Sequence, residues 1–422
     1  MKRWRYLVYF AIFSLVVINY IDRVALSMGA PAIGKEFHLG PVKLGYLFSS
    51  YMWIYLILLI PWGLMADRFG AKKINGVGII VWSIATIFSG LSTGFGMLLG
   101  SRMLMGGAEA SSYPGGGRAL RDWSPKKEYG LAATMLNSGG YAGPALGTFF
   151  LGWVLSISNW RCAFYAAALL GFVWFIIWVF WYKKPEDAKW LSDDERAYII
   201  RERDNGGSID ADRRTAGFFA LLKSRTMIVI AIAQGCAVYT QIVFLTWLPS
   251  YLVHVKHLSI LKSGSFTALP YFCATILSWI IAHFSDRILA RRGSAATGQR
   301  RLIIVIAMLT AAVILFAPAV QNTAIILILI TISLTGLATG ISLNIALTAD
   351  LLRSPADAAK AMSIQISGGN IFGIAAPIVT GYIIALTGGY NMAFVAGGVL
   401  LIIGAFITFT LTRSPIGITQ EA

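Results

Sequence analysis

Four charged side chains lie within long apolar stretches of the sequence, where a charge is costly. Asp22 and Arg23 are adjacent in the first stretch, and Arg102 and Glu109 lie seven residues apart in a later one. Burying such a group in a membrane costs at least about 2.5 to 3.5 kcal/mol, so each of the four is a candidate for function. Acids and guanidinium groups held together away from water could bind an anion and exchange a proton.

The spacing of these four residues limits which of them can meet. On a helix, Arg102 and Glu109 lie on nearly the same face, about 10 Å apart along the axis, so a third charged side chain is expected to bridge them. Static ion pairs that hold helices together are the alternative, but desolvation often offsets the attraction within a buried pair. An anion that occupied an Arg would free its carboxylate to take up a proton. The pattern therefore favours proton-coupled handling of an anion.

The composition indicates which elements must position these residues. Of the 422 residues, 57% are hydrophobic and 13% are charged, about half the charge density of soluble proteins. The formal net charge of +16 comes from short Lys and Arg clusters between apolar runs, which is typical of membrane topology rather than of nucleic-acid binding. The three cysteines show neither pairing nor metal spacing. We expect a membrane protein that uses no metal, no cofactor and no nucleic acid, and that is not an enzyme.

Twelve runs of the sequence are long and apolar enough to cross the roughly 30 Å of membrane hydrocarbon. The first is too long, and carries too much charge, to be a cleaved signal peptide. The predicted spans cover approximately residues 5–30, 43–64, 74–92, 95–118, 129–156, 161–182, 224–252, 262–284, 301–320, 323–351, 358–386 and 390–412.

The distribution of basic residues predicts the orientation of the spans. If both termini are cytoplasmic, only five of the 35 Lys and Arg residues fall in outward loops, namely Lys35, Lys43, Arg161, Lys256 and Lys262. This asymmetry predicts a multi-pass membrane protein with both termini in the cytoplasm. The sequence has no Asn-x-Ser or Asn-x-Thr sequon and its first outward loop is short, which fits the cell inner membrane of a bacterium. In the long hydrophilic segment after span six, Ser192 and Glu195 have capping-box spacing, which predicts a short surface helix ending near Arg203.

The two halves of the chain repeat each other. Ser138-Gly139-Gly140 and Gly152-Trp153 in span five match Ser367-Gly368-Gly369 and Gly381-Tyr382 in span eleven, at a constant offset of 229 residues. Glycine-rich membrane helices can also resemble one another by chance, but matches at corresponding spans favour duplication. We therefore predict an N-terminal six-helix bundle at 1–182, a cytoplasmic linker at 183–223 and a C-terminal six-helix bundle at 224–422.

Several motifs resemble those of a known family. The segment Gly63–Lys73 looks like the loop 2-3 signature of the major facilitator superfamily. Asn19-Tyr20-Ile21-Asp22-Arg23, Gly107-Ala108-Glu109-Ala110 and Leu245–Tyr251 resemble one branch, the anion:cation symporters, which include bacterial galactonate, hexuronate and phthalate transporters and animal sialin. The resemblance implies an all-α membrane protein with twelve transmembrane helices in two pseudo-symmetric bundles, acting as a monomer.

The resemblance also assigns roles to individual residues. It gives the proton to Asp22 and Glu109, and the substrate carboxylate to Arg23 with Arg102 in support. Tyr55, Gln241 and Asn370 match polar substrate contacts in sugar-acid members, although Tyr55 could instead pack at a helix interface. Further substrate-binding candidates are Tyr239 and Asn344. A conformational latch is predicted at a cytoplasmic helix end and at a second copy, formed by Asp67, Arg68, Asp286 and Arg287.

These roles define the predicted function. The chain is expected to import a small organic anion, a sugar acid such as a hexonate or hexuronate or a related carboxylate, together with protons and by alternating access within membrane lipid. An organic-anion exchanger or a proton-driven exporter is the alternative, favoured by the glycine and proline pattern of span five. A membrane sensor without flux is a further alternative.

Overall fold

The computed structural model describes residues 4–204, 217–290, 296–354 and 357–416, and within them the chain is helical apart from one isolated bridge between Leu352 and Ile416. Long apolar runs satisfy their backbone groups internally as helices, which a membrane requires. The fourteen α-helices of the described residues are α1 (Arg5–Glu36), α2 (Pro41–Gly90), α3 (Phe95–Glu109), α4 (Ser112–Trp123), α5 (Tyr129–Ile157), α6 (Trp160–Trp181), α7 (Asp193–Asp204), α8 (Phe218–Leu222), α9 (Arg225–His254), α10 (Ile260–Ala290), α11 (Ala296–Ala311), α12 (Thr323–Leu351), α13 (Ala358–Thr387) and α14 (Asn391–Leu411).

These helices supply the twelve predicted spans. Among the described residues, ten helices are long and apolar enough to cross a membrane. The helix α2 has 50 residues and breaks at Gly70, whose φ of 80° and ψ of 164° interrupt the helical geometry, so it provides two spans. A φ of this sign favours glycine because it has no Cβ. The two pieces α3 and α4, separated at Ala110 and Ser111, form one further span.

The chain forms two compact units. The first contains Met1–Ser208 and Leu252–Ala268, and the second contains Ile209–Tyr251 and Leu269–Ala422. In the first unit α1 packs along α5 and α2 packs along α3 and α6. In the second unit α11 packs against α12 and α14.

The repeated glycines make equivalent contacts in the two units. A Cβ added to Gly139 on α5 would lie 2.7 Å from Cβ of Val16 on α1. A Cβ added to Gly368 on α13 would lie 2.8 Å from Cβ of Ala231 on α9. Small residues therefore let matching pairs of helices approach closely, which gives the sequence repeat a physical basis.

The helix α7, in the predicted linker, belongs to the first unit and is bonded to the start of α1. The Glu195 backbone N–H donates to Ser192 Oγ at 3.4 Å, which confirms the predicted start of the helix. The Glu195 carboxylate accepts hydrogen bonds from the backbone N–H groups of Trp4 and Arg5 and from Arg5 Nη1, the last at 2.9 Å. Because the first N–H groups of a helix have no partner within it, Glu195 caps α1 from another part of the chain.

The contact between α2 and α3 depends on Gly106. A Cβ at this position would overlap the carbonyl oxygen of Tyr51, which is backbone and cannot rotate away. We predict that Gly106→Ala lowers the melting temperature in detergent, with a cost of about 1 to 3 kcal/mol from overpacking. The matched control is Gly100→Ala on the same helix, where a Cβ would meet nothing within 4 Å and stability should not fall. Equal melting temperatures for the two variants would contradict this packing.

Candidate functional site

A buried ion pair joins α1 and α3 in the first unit. Arg23 Nε on α1 donates to Glu109 Oε2 at 2.9 Å, with the Glu109 side chain fully buried and the Arg23 side chain 9% exposed. Glu109 is the last residue of α3, directly before the interruption at Ala110 and Ser111 that separates α3 from α4. The Arg23 guanidinium group compensates the charge of this buried carboxylate.

Three tyrosines surround the Arg23 guanidinium. Its Cζ lies 4.6 Å from the ring centroid of Tyr20, 4.8 Å from that of Tyr51 and 5.3 Å from that of Tyr55. Tyr20 lies one helical turn before Arg23, and Tyr51 and Tyr55 lie one turn apart on α2, so each pair shares a helix face. Tyrosine rings stabilise a cation through their π-electrons and fix its direction. The structure thus brings Tyr55 to Arg23, and it adds Tyr20 and Tyr51, which only their helical spacing could have indicated.

Asp22 and Arg102 form a second charged group beside this pair. Arg102 Nη1 donates to the backbone carbonyl of Asp22 at 3.1 Å, and the Asp22 carboxylate accepts from Thr86 Oγ1 at 3.2 Å. The Arg102 guanidinium also lies 5.5 Å from the Tyr51 ring, so Tyr51 contacts both arginines. Arg23 bonds Glu109 at one end of the gap on α3, while Arg102 at the other end donates to the Asp22 backbone carbonyl, so the bridge expected between Arg102 and Glu109 stays a prediction.

Several polar atoms of this cluster are buried without a hydrogen-bond partner in the described part of the chain. Leaving such an atom unpaired costs about 1 to 3 kcal/mol, and more when it is charged. Five of them lie on the residues around the ion pair, which indicates a site that uses these atoms to bind water, a proton or a ligand. They are Arg23 Nη2, Glu109 Oε1, Asp22 Oδ2, Arg102 Nε and Tyr51 OH.

The second unit contains a buried amide network. Asn344 Nδ2 donates to Gln234 Oε1 at 3.0 Å and to the Ile230 carbonyl at 3.2 Å. Gln365 Nε2 donates to the same Gln234 oxygen at 3.3 Å, and Gln365 Oε1 accepts from Thr348 Oγ1 at 2.7 Å. These bonds join α9, α12 and α13. The sequence analysis singled out Asn344 but missed the two glutamines, which a search for amides within apolar runs could have found.

The other predicted substrate contacts also belong to the second unit. Tyr239 and Gln241 lie on α9, the first buried and the second half-buried. Asn370 is half-buried on α13, and its Nδ2 has no hydrogen-bond partner among the described residues. Substrate binding by Tyr239, Gln241, Asn344 and Asn370 stays a prediction.

The predicted latch residues are exposed where they are described. The Asp67 carboxylate accepts from Arg121 Nη2 at 2.7 Å and lies 3.6 Å from Arg118 Nη1, both on α4. The Arg68 guanidinium carbon lies 5.3 Å from the centroid of the Phe69 ring. Asp286 and Arg287 lie in the last turns of α10, and their side chains are outside the described residues. The latch stays a prediction.

No group of His, Cys, Asp and Glu residues in the described ranges could hold a metal ion. The repeated helical units and the buried ion pair with unpaired polar atoms are typical of a membrane transporter. The family model of the Major Facilitator Superfamily matches residues 12–298, so the chain belongs to that superfamily. It is a multi-pass membrane transporter and not an enzyme, and the predicted fold class is confirmed.

Relatives across the superfamily resemble the chain over nearly its full length. A probable galactarate/D-glucarate transporter of Escherichia coli is 31% identical over 417 residues, covering 93% of this chain and 91% of the relative. A probable galactarate/D-glucarate transporter of Bacillus subtilis is 29% identical, covering 98% and 92%. A D-galactonate transporter of Escherichia coli is 31% identical, covering 93% and 91%. The resemblance to galactonate transporters is therefore confirmed.

A solved structure shows the same fold. It is a bacterial homolog of the human lysosomal transporter Spinster in an inward-facing, unoccupied conformation, with a TM-score of 0.75 at 18% identity, covering 98% of each chain.

Proposed function

We propose that the protein is a proton-coupled symporter that imports a small organic anion by alternating access. The observation that carries the proposal is the buried ion pair of Arg23 and Glu109, in which one nitrogen of the cation and one oxygen of the acid have no hydrogen-bond partner in the described chain. A purely structural pair would gain little, since desolvation offsets the attraction. In a pair that opens during the transport cycle, the Arg23 guanidinium group can bind the anion and the Glu109 carboxylate can bind the proton.

The coupling step follows from charge balance. A substrate carboxylate that binds the unpaired edge of Arg23 places two carboxylates on one guanidinium group. The excess negative charge is removed when Glu109 takes up a proton, because like charges in a buried site disfavour joint ionisation. Release of the anion restores the Arg23–Glu109 bond and returns the proton. Asp22, with one oxygen bonded to Thr86 and the other unpaired, is the second proton carrier.

The substrate we propose is a sugar acid, a hexonate, hexuronate or hexarate. The relatives' printed names, galactarate/D-glucarate and D-galactonate transporters, support this class. The hydroxyls of such a substrate need polar partners in exchange for water. In this proposal Tyr55, Gln241 and Asn370 provide them. Tyr239, on the same helix as Gln241, and Asn344, on α12, are further candidates.

We also propose the arrangement of the chain in its membrane. The Lys and Arg distribution supports the placement of both termini in the cytoplasm, and the bacterial transporters that resemble the chain support a cell inner membrane. The repeat at offset 229 supports a six-plus-six division around the 183–223 linker. In this arrangement Asp67 and Arg68 act as a latch on the cytoplasmic side, with Asp286 and Arg287 as its second copy, and the protein works as a monomer.

Substrate-driven proton uptake tests the proposal. Purified protein is reconstituted into vesicles, and galactarate, glucarate, galactonate and glucuronate are added in turn while the external pH is recorded. A symporter makes the external solution more alkaline with at least one of these acids. An exchanger, which the glycine and proline pattern of α5 favours, transports only when counter-substrate is present inside. Proton release or absence of flux with every acid would contradict the proposal.

A further inference from the structure

A cavity of about 390 Å³ lies at one end of the first unit, away from the Arg23–Glu109 pair. It opens between the second half of α2, which begins after Gly70, and the segment that follows α6 at Trp181. Four lysines and two aspartates contribute its charges, and these are Lys72, Lys73, Lys183, Lys184, Asp122 and Asp187.

The backbone at two of the lysines is fixed by indole hydrogen bonds. Trp178 Nε1 donates to the carbonyl of Lys72, and Trp123 Nε1 donates to the carbonyl of Lys183, both at 3.1 Å. The helical break at Gly70 places Lys72 and Lys73 in the first turn of the following helix, where backbone N–H groups lack partners within the helix and favour an anion. The pocket is thus a built feature of the fold.

The charges of this pocket favour an anion. Four lysines and two aspartates line the pocket, and one of the aspartates, Asp122, is already paired with Arg118 Nε at 3.2 Å. The lining therefore carries positive charge in excess, which attracts an anion. A phosphate group is an anion of suitable size for the cavity.

The apolar surface next to the pocket distinguishes a lipid from a free phosphate. Large apolar side chains are exposed along the same two helices, with Phe180 on α6 exposed to 79%. The others are Val77, Ile84, Ile176 and Ile177. A free phosphate would use only the lysines, whereas a phospholipid would use the lysines for its headgroup and this surface for its acyl chains. Basic pockets beside membrane helices bind acidic headgroups in this way.

We propose that this pocket binds the headgroup phosphate of an anionic phospholipid, with the acyl chains lying along the exposed face of α2 and α6. Lys72, Lys73, Lys183 and Lys184 supply the charge, and Trp123 and Trp178 fix the backbone that carries them. The site is separate from the proposed transport site.

The test compares two variants with equal loss of charge. Lys72→Gln/Lys183→Gln removes two cations from the pocket, and Lys126→Gln/Lys127→Gln removes two exposed cations from the nearby turn Lys126–Glu128, outside the pocket. Each protein in neutral detergent is titrated with dioctanoyl phosphatidylglycerol, dioctanoyl phosphatidylcholine or inorganic phosphate. Binding is followed by native mass spectrometry and by thermal stability, and circular dichroism checks that both variants are folded.

Phosphatidylglycerol should stabilise the unmodified protein and the control variant equally, and phosphatidylcholine should have little effect. In the pocket variant, the apparent Kd for phosphatidylglycerol should rise about thirtyfold. Equal binding of phosphatidylglycerol to both variants would overturn the proposal, because it would show attraction by net charge alone. Equal stabilisation by inorganic phosphate would also overturn it, because the site would then take a free anion.

Discussion

Glu109→Gln is expected to abolish proton-driven accumulation of the substrate while leaving substrate binding and counterflow measurable. Gln keeps the size of the side chain and an oxygen that can accept the 2.9 Å bond from Arg23 Nε, but it cannot take up a proton. Each coupled proton supports about tenfold accumulation per pH unit across the membrane, since one pH unit corresponds to about 1.4 kcal/mol. The variant should instead stop at equal concentrations on both sides. Uptake of labelled substrate under an imposed pH gradient measures this.

Glu36, the last residue of α1, provides a matched control for this variant. Glu36 also pairs with an arginine, Arg161, at 2.7 Å, and accepts a bond from Trp160, but it is exposed. Glu36→Gln should leave accumulation unchanged. Uphill accumulation by Glu109→Gln would remove Glu109 from the proton path. If Glu109→Gln lost substrate binding and counterflow as well as accumulation, Glu109 would be needed for the structure of the site and not for proton transfer.

Arg23→Ala is expected to weaken the binding of a carboxylated substrate by about 2 to 5 kcal/mol, a thirtyfold to several-thousandfold rise in Kd. The corresponding neutral amide has no charge for the guanidinium group to hold, so its affinity should change far less. Isothermal titration of the purified variant with galactonate and with galactonamide measures the difference. Equal loss for both ligands would show that Arg23 serves folding.

Arg23→Ala alone also leaves Glu109 buried without its partner, which lowers the free energy of unfolding by about 3 to 5 kcal/mol. The double variant Arg23→Ala/Glu109→Gln removes that unpaired charge. It should recover thermal stability without recovering affinity for the carboxylate, which separates folding from binding. Arg161→Ala is the matched control, because Arg161 has an acidic partner and stacks on the Trp160 ring at 4.3 Å, as Arg23 does on its tyrosines. Its effect on the affinity for either ligand should be small.

The spans and the charged candidates could be predicted from the sequence because both depend on local composition. A run of about 20 apolar residues must form a helix in a membrane, whatever it packs against. The start of α7 directly after its capping residue Ser192 could also be predicted, since a capping box depends on residues only three positions apart. The break at Gly70 fell between two predicted spans because the charged pairs on either side of it, Asp67-Arg68 and Lys72-Lys73, end the two apolar runs.

The partners of these residues could not be predicted in the same way. The spacing on α3 predicted one charged side chain between Arg102 and Glu109, whereas in the structure Arg23 bonds Glu109 and Arg102 donates to the Asp22 carbonyl. The capping-box pattern of Ser192 and Glu195 predicted the start of α7, but not that the Glu195 carboxylate would cap α1, 190 residues earlier in the chain. In both cases a long side chain can reach several partners. Which partner it bonds depends on the position of the neighbouring helix, which local sequence patterns do not give.

By itself, then, the sequence determined a helical membrane transporter with acids and arginines in its first and fourth spans, because hydrophobicity and charge act residue by residue. Only the tertiary structure decided that three tyrosines enclose Arg23, that Gln234 and Gln365 share a buried network with Asn344, and that four lysines from distant segments line one cavity. Those arrangements depend on how far each helix rotates and how closely it approaches its neighbours. Packing at positions such as Gly106 and Gly139 sets both quantities, and packing is a property of pairs of helices.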